Sequence, residues 1–179
     1  MNLDKPAPAL SRLSELDLEL CRRLARLQSS MPVLRLSRLV SRLGDGPFWF
    51  GLAAVLVVLG GRGALPAVLR LSVVGILAAV VSRSIKGWAN RPRPFCTEAG
   101  IAAGAEALDP WSFPSGHTLH AVAFNGVLVA DHPALAVALL PWTLAIAISR
   151  VVLGLHYPSD VAAGAAIGAL LASAVLALS

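Results

Sequence analysis

Residues Val161 to Ser179 run through small and aliphatic side chains without a single charge. In a hydrocarbon layer such a stretch can satisfy its peptide groups only through its own helix ladder. Four further stretches approach the roughly 20 apolar residues that a span requires: Gly46 to Gly61, Gly63 to Arg83 (with Arg70 near its start), Pro110 to Ala130, and Pro133 to Ser149. Arginines at the flanks shorten the strictly uncharged length by snorkelling. The expected fold is therefore all-α, a multi-pass transmembrane helical bundle of five spans, or six if an atypical one lies within Leu16 to Leu43. Composition agrees: 56% of the residues are hydrophobic, 14% are charged and mean hydropathy is +0.73, which sets the chain apart from soluble domains.

Ahead of the spans, Leu10, Leu13, Leu16, Leu20, Leu24 and Leu27 recur every three or four residues. Glu15, Glu19, Arg12, Arg22, Arg23 and Arg26 take the other faces, the pattern of an amphipathic helix. Ser29-Ser30-Met31-Pro32 breaks it, and Val33 to Leu43 resumes the pattern before Gly44-Asp45-Gly46-Pro47 turns the chain. Residues 1–45 read as two interfacial helices on the bilayer surface and 46–179 as the membrane core. Asp4, Lys5, Pro6 and Pro8 precede a charged helix rather than an apolar run, so no cleavable leader is expected.

The net charge of +5 does not signal nucleic acid. Eight of the fifteen Lys and Arg residues lie before residue 46, and no basic stripe alternates with stacking aromatics. Lipid headgroups or a phosphorylated substrate suit this basicity better. Cys21 and Cys96 have neither CxxC spacing nor neighbouring ligands, so they define no disulfide framework and no zinc site.

Polar residues outside the N-terminal helices are clustered. Lys86, Arg91-Pro92-Arg93-Pro94, Pro114-Ser115-Gly116-His117, Ser149-Arg150, His156 and Asp160 all fall at span ends that the five-span tracing brings to one face. Lys86, Arg93 and Arg150 are three cations whose only carboxylate within these motifs is Asp160, and unpaired cations with an Arg fork suit phosphate oxygens. Ser115 and Gly116 add a helix N-terminus, with glycine permitting close approach of the ligand. Asp160, four residues after His156, shares its face if the segment is helical. A carboxylate bonded to one imidazole nitrogen leaves the other free to attack, while a second imidazole, His117, can protonate a departing alkoxide.

Lys86-x6-Arg93-Pro94, then Pro114-Ser115-Gly116-His117, then Ser149-Arg150-x5-His156-x3-Asp160 resembles the signature of the type 2 phosphatidic acid phosphatase (PAP2) superfamily, over about residues 45 to 179. The resemblance implies a metal-independent phosphatase without cofactor. His156 would be the nucleophile that forms a phosphohistidine, Asp160 would orient it, and His117 would protonate the leaving group and later activate water. Lys86, Arg93, Ser115, Gly116 and Arg150 would hold the phosphoryl oxygens.

The implied substrate is a lipid phosphate or diphosphate. The compact size is similar to bacterial members that act on undecaprenyl diphosphate, with phosphatidate, phosphatidylglycerol phosphate and lipid A phosphate as alternatives. A headgroup binder or transporter without turnover is the non-enzymatic alternative. The resemblance further implies the bacterial inner membrane with the site on the periplasmic face, although thirteen of fifteen Lys and Arg would share that side, against the positive-inside rule. Arg91 is either a second headgroup contact or an interfacial arginine. His120 suits core packing or a lipid contact better than a metal pair with His117, His132 suits a solvated turn, and Trp88 and Trp111 suit interfacial anchors. Gly164 and Gly168 form a GxxxG suited to close packing inside a bundle.

Overall fold

The computed structural model describes residues 8–179, with side chains from Ser14 onward. Asp4, Lys5 and Pro6 lie outside the described residues, as do the side chains of Pro8, Leu10, Arg12 and Leu13. Regular structure among the described residues is helical. Helix α1 (Pro8–Ala25) passes through a 3-10 turn at Arg26–Ser29 into α2 (Met31–Gly44), followed by α3 (Pro47–Gly60), a second 3-10 turn at Gly61–Ala64 and α4 (Leu65–Ala89). A single helical turn, α5 (Pro94–Thr97), opens the long loop to α6 (Gly116–Asp131); α7 (Ala136–Val152) and α8 (Pro158–Ala177) complete the chain.

Proline stands in the first turn of α2, α3, α4, α5 and α8. There its fixed φ is already helical and its missing N–H is no loss. Helix α4 ends on Asn90 in the left-handed region (φ 48), whose N–H reaches back to the carbonyl of Lys86 at 3.1 Å, a C-terminal stop of the kind that asparagine tolerates.

Three segments are long and apolar enough to cross a membrane: Pro47–Ala89, Pro133–Val152 and Pro158–Ala177. This corrects the expectation of five or six spans. A hydropathy window registers composition and not where a helix begins or stops. Gly46 to Gly61 and Gly63 to Arg83 merge into one helical segment interrupted only at Gly61–Ala64, within which α3 has just 14 residues. The stretch from Pro110 is not helical until Gly116, leaving α6 with 16 residues, about 24 Å at 1.5 Å per residue.

Helix α6 is the centre of the bundle, packed on α8, α4 and α7. Lipid tails are as apolar as leucine, so helices in a membrane gain most from close backbone approach. Glycine supplies it here. A Cβ at Gly164 would lie 2.6 Å from the Ser115 carbonyl oxygen, and one at Gly168 would lie 2.4 Å from that of Leu119. The GxxxG of α8 thus serves the bundle interior. Val74, Ala121, Ala123, Val127, Leu128 and Ile146 form the buried apolar centre, flanked by a row of rings, Trp142, Phe48, Trp49 and Phe124, with centroids 5.0 Å apart from each to the next.

Helix α1 packs against α7 and α8, and α2 against α7. The Gln28 amide donates to the carbonyls of Ala102 (3.1 Å) and Val152 (2.8 Å), and Arg38 Nε donates to that of Gly104 at 2.5 Å. The long loop after α5 is therefore tied to the N-terminal helices. Leu16, Leu20, Leu27, Met31, Leu36 and Leu39 point outward, exposed.

Gly168→Ala should destabilise the protein by about 1–3 kcal/mol, the ordinary cost of overpacking. Gly51→Ala, where nothing lies within 4 Å of an added Cβ, should be neutral or stabilising by up to about 1 kcal/mol. Thermal unfolding of both variants in detergent checks the contrast.

Candidate functional site

His156 lies in the short connection from α7 to α8. Gly154 turns that connection at φ +68, and a Cβ there would meet the Ala102 carbonyl at 2.7 Å. The imidazole is buried, and its Nδ1 lies 2.7 Å from the carbonyl oxygen of Ser112. A carbonyl can only accept, so Nδ1 carries the proton and Nε2 keeps its lone pair. Arg93 Nη1 donates toward that lone pair at 3.3 Å. Burial, followed by the charges of Arg150, Arg93 and Lys86, pushes His156 well below its ordinary value of 6.5. Its ring is therefore neutral at physiological pH.

Asp160 is fully buried, with Oδ2 3.7 Å from His156 Nδ1. Its short bonds go elsewhere: Oδ2 accepts from the Tyr157 N–H at 2.8 Å, which caps α8, and Oδ1 accepts from Arg91 Nη1 at 2.7 Å. The short imidazole bond predicted for this carboxylate belongs instead to the Ser112 carbonyl. Asp160 reaches the ring through the chain that carries it.

The cations are less free than their motifs implied. Asp109, in the loop before α6, accepts from Lys86 Nζ at 2.5 Å and from Arg93 Nη2 at 3.1 Å, while its backbone carbonyl accepts from Arg93 Nε at 2.9 Å. Burial alone would raise the Asp109 carboxyl; the Lys86 bond and the charges of Lys86 and Arg93 outweigh it and hold the group below its ordinary value. Arg93 is itself buried, with Nη1 also donating to the Leu155 carbonyl at 2.9 Å. Arg150 donates to the Ser41 hydroxyl on α2, but its buried Nε has no protein partner. A buried guanidinium donor without an acceptor is costly, which marks the place where an anion belongs.

His117, at the start of α6, meets Asp45 from the α2–α3 turn through Nε2. Burial and then the Arg150 charge lower it to about 4, against the opposing pull of Asp45. His117 and His156 share one cavity of about 1030 Å³, walled at its polar end by Lys86, Arg93, Asp109, Gly116, His117, Arg150 and His156. The remainder is mainly apolar, between Trp49, Phe50 and Ala53 of α3, Val68, Leu71 and Gly75 of α4, and Phe124 and Leu128 of α6.

Ser115 is buried but does not line this cavity; its hydroxyl pairs with that of Thr118 at 3.0 Å. His120 does line it, its Nδ1–H donating to the Gly116 carbonyl at 2.8 Å. Among the described residues no three His, Cys, Asp or Glu side chains gather as a metal cluster. Trp88, 85% exposed, sits at the end of α4, and Trp111 lines the cavity.

Arg91 turns away from the cavity. Its guanidinium joins Asp160 and Ser159 to Asp17 of α1, all at 2.7 Å, and lies 3.9 Å from the Tyr157 ring centroid. Asp17 also accepts from the backbone N–H of Ser159 at 2.8 Å. Cys21, fully buried one turn further along α1, points its thiol at the His156 carbonyl at 3.9 Å. Burial, then Asp17 and Asp160, raise that thiol to about 12. Cys96 is exposed.

A family model described as the PAP2 superfamily matches residues 67–179. The chain belongs to the PAP2 superfamily. It is 37% identical over 94 residues to the decaprenylphosphoryl-5-phosphoribose phosphatase of Mycobacterium tuberculosis, covering 52% of this chain and 50% of that one. It is 43% identical over 58 residues to the lipid A 1-phosphatase of Rhizobium johnstonii, covering 32% and 24%. The chain thus spans half or less of the length of these curated relatives. The crystal structure of Aquifex aeolicus LpxE superposes with a TM-score of 0.78 at 26% identity, covering 99% of both chains.

In this PAP2 protein the matched region holds Lys86, Arg93, His117, Arg150, His156 and Asp160, and excludes α1 and α2. Asp17, Ser41 and Asp45, which touch Arg91, Arg150 and His117, come from outside it. No spacing rule marked these residues or Asp109. The one cue was that Asp109 is an isolated carboxylate in the loop just before Pro114-Ser115-Gly116-His117.

Two expectations follow. Both histidines are depressed in the folded state but ordinary when unfolded, so below about pH 6.5 the unfolded chain binds more protons and stability falls as pH drops. Thermal unfolding at about pH 7.5 and about pH 5 measures the slope, and His156→Gln should flatten it. Separately, Arg91→Met leaves Asp160 and Asp17 without their shared cation and should destabilise by about 3 kcal/mol or more, read in the same assay.

Proposed function

We propose that the protein is a membrane phosphatase of lipid phosphates, acting through a phosphohistidine on His156. The observation that carries the reading is the unprotonated Nε2 of His156, which opens on a pocket with three cations at one end and an apolar channel at the other. The cations hold the phosphoryl oxygens, and the channel takes the acyl or prenyl tail, whose binding energy anchors the substrate.

Nε2 attacks phosphorus, the P–N bond forms and the P–O bond to the lipid breaks. His117 protonates the departing oxygen; the negative charge of the bound phosphate offsets the field of Arg150 and lets His117 hold that proton. A water then gives its proton to His117 and attacks phosphorus, the P–N bond breaks, and orthophosphate and neutral His156 remain. Lys86, Arg93, Arg150 and the Gly116 amide stabilise the charge on the equatorial oxygens. Ser115 supports the turn that presents Gly116 and His117.

The substrate is a phosphate ester on a lipid-borne headgroup. The names of the similar proteins favour this over undecaprenyl diphosphate, since both relatives are phosphatases of phosphorylated sugars or lipid A. Helices α1 and α2 lie on the bilayer surface with their outward leucines in the headgroup region. The site faces the periplasm of a bacterial inner membrane, an assignment that rests on the family.

Purified protein assayed with lipid A, phosphatidylglycerol phosphate, phosphatidate and undecaprenyl diphosphate, with chelator present throughout, should release phosphate fastest from a monoester. His156→Ala should reduce that rate by about a thousandfold or more. A rate abolished by chelator, or unchanged by the substitution, overturns the mechanism. Labelling Cys96 with an impermeant thiol reagent in intact cells reads the sidedness; Cys21 is too deeply buried to report it.

A further inference from the structure

The anion site is already occupied by a carboxylate of the protein. Asp109 places one oxygen on Lys86 and the other on Arg93, the two-oxygen contact that a phosphate would make with the same donors. We propose that Asp109 is a specificity-determining residue: an internal anion that holds the phosphate cradle when no substrate is bound and must be displaced by any phosphate that enters. This rests on the assignment of Lys86 and Arg93 to phosphate binding made above.

The attachment of the residue suits that role. Its backbone is fixed, since the Asp109 carbonyl accepts from Arg93 Nε. Its side chain is 35% exposed, whereas those of Lys86 and Arg93 are 12% and 2% exposed. Beyond the two cations, one Asp109 oxygen accepts from the Trp111 N–H at 3.0 Å. A rotation about the side-chain bonds therefore frees Lys86 Nζ and Arg93 Nη2 while Arg93 Nε stays on the backbone carbonyl, without moving the loop. The neighbouring Leu108 is 77% exposed and lines the same cavity, so the displaced carboxylate has an open side to move into.

The consequence is discrimination by the tail. A lipid phosphate adds the apolar channel to its contacts with the cations and outcompetes Asp109. Orthophosphate, the product, has only the cations, and Asp109 returns to them as it leaves. The like charge beside the site makes free phosphate a weak ligand and its release easy.

Calorimetric titration of inorganic phosphate into the full-length protein in detergent tests this with wild type, Asp109→Asn and Asp109→Glu. The Asn variant, which keeps the size and loses the charge, should bind phosphate about tenfold tighter or more. The Glu variant, which keeps the charge, should stay within about threefold of wild type. Equal or weaker binding by the Asn variant makes Asp109 a positioning group for the cations and overturns the proposal, as does binding by none of the three proteins.

Hydrogen exchange on wild type supplies a reading that needs no variant. Saturating phosphate should speed exchange of the Trp111 amide as its acceptor leaves, and an unchanged rate overturns the displacement. Tighter phosphate binding by the Asn variant in a protein that hydrolyses none of the lipid phosphates would uphold this inference while defeating the enzymatic one.

Discussion

The site exists because α6 and α8 touch backbone to backbone at one end. Gly164 lies against the Ser115 carbonyl, and the Ser115 N–H donates to the Asp160 carbonyl at 3.0 Å. That junction brings the turn carrying Gly116 and His117 against the segment carrying His156 and Asp160. Any side chain at position 164 larger than hydrogen separates them. The glycine is a packing requirement of the bundle interior and a geometric requirement of the proposed chemistry at once.

A second layer holds the imidazole in one state. The proton on Nδ1 is fixed by a main-chain carbonyl, which neither titrates nor swings away. The carboxylate that the motif places nearby caps the helix and binds Arg91. Through Arg91, the segment bearing His156 is tied to Asp17 on the first helix, and the thiol of Cys21 on that helix points at the carbonyl of His156. The N-terminal helices are thus structurally continuous with the site, although they lie outside the region that the family model matches.

Much of this was legible in the chain. Lys86, Arg93, Gly116, His117, Arg150 and His156 are brought to one cavity, and the small-residue stripe of α8 packs where its spacing suggested. The helical class followed from uncharged runs that have no alternative in lipid. The span count did not follow, because the stretch read as a span from Pro110 is not helical until Gly116, and because α3 and α4 form one apolar segment. The carboxylates were also hidden. Asp17, Asp45 and Asp109 are paired by tertiary structure across 74, 72 and 23 positions in sequence, beyond the reach of any local pattern, and Arg91 was ambiguous for the same reason.

The brevity of α6 bears on the surrounding lipid. A rise of about 24 Å is less than the roughly 30 Å of a bilayer's hydrocarbon layer, so the two ends of this central helix cannot both reach the headgroup planes. With the far end of α6 at one headgroup plane, the polar pocket at its N-terminus falls short of the other unless the leaflet dimples toward it. Acyl-chain length in the host membrane thereby enters the proposed reaction, because a thinner bilayer shortens the distance that the lipid phosphate proposed as substrate would descend.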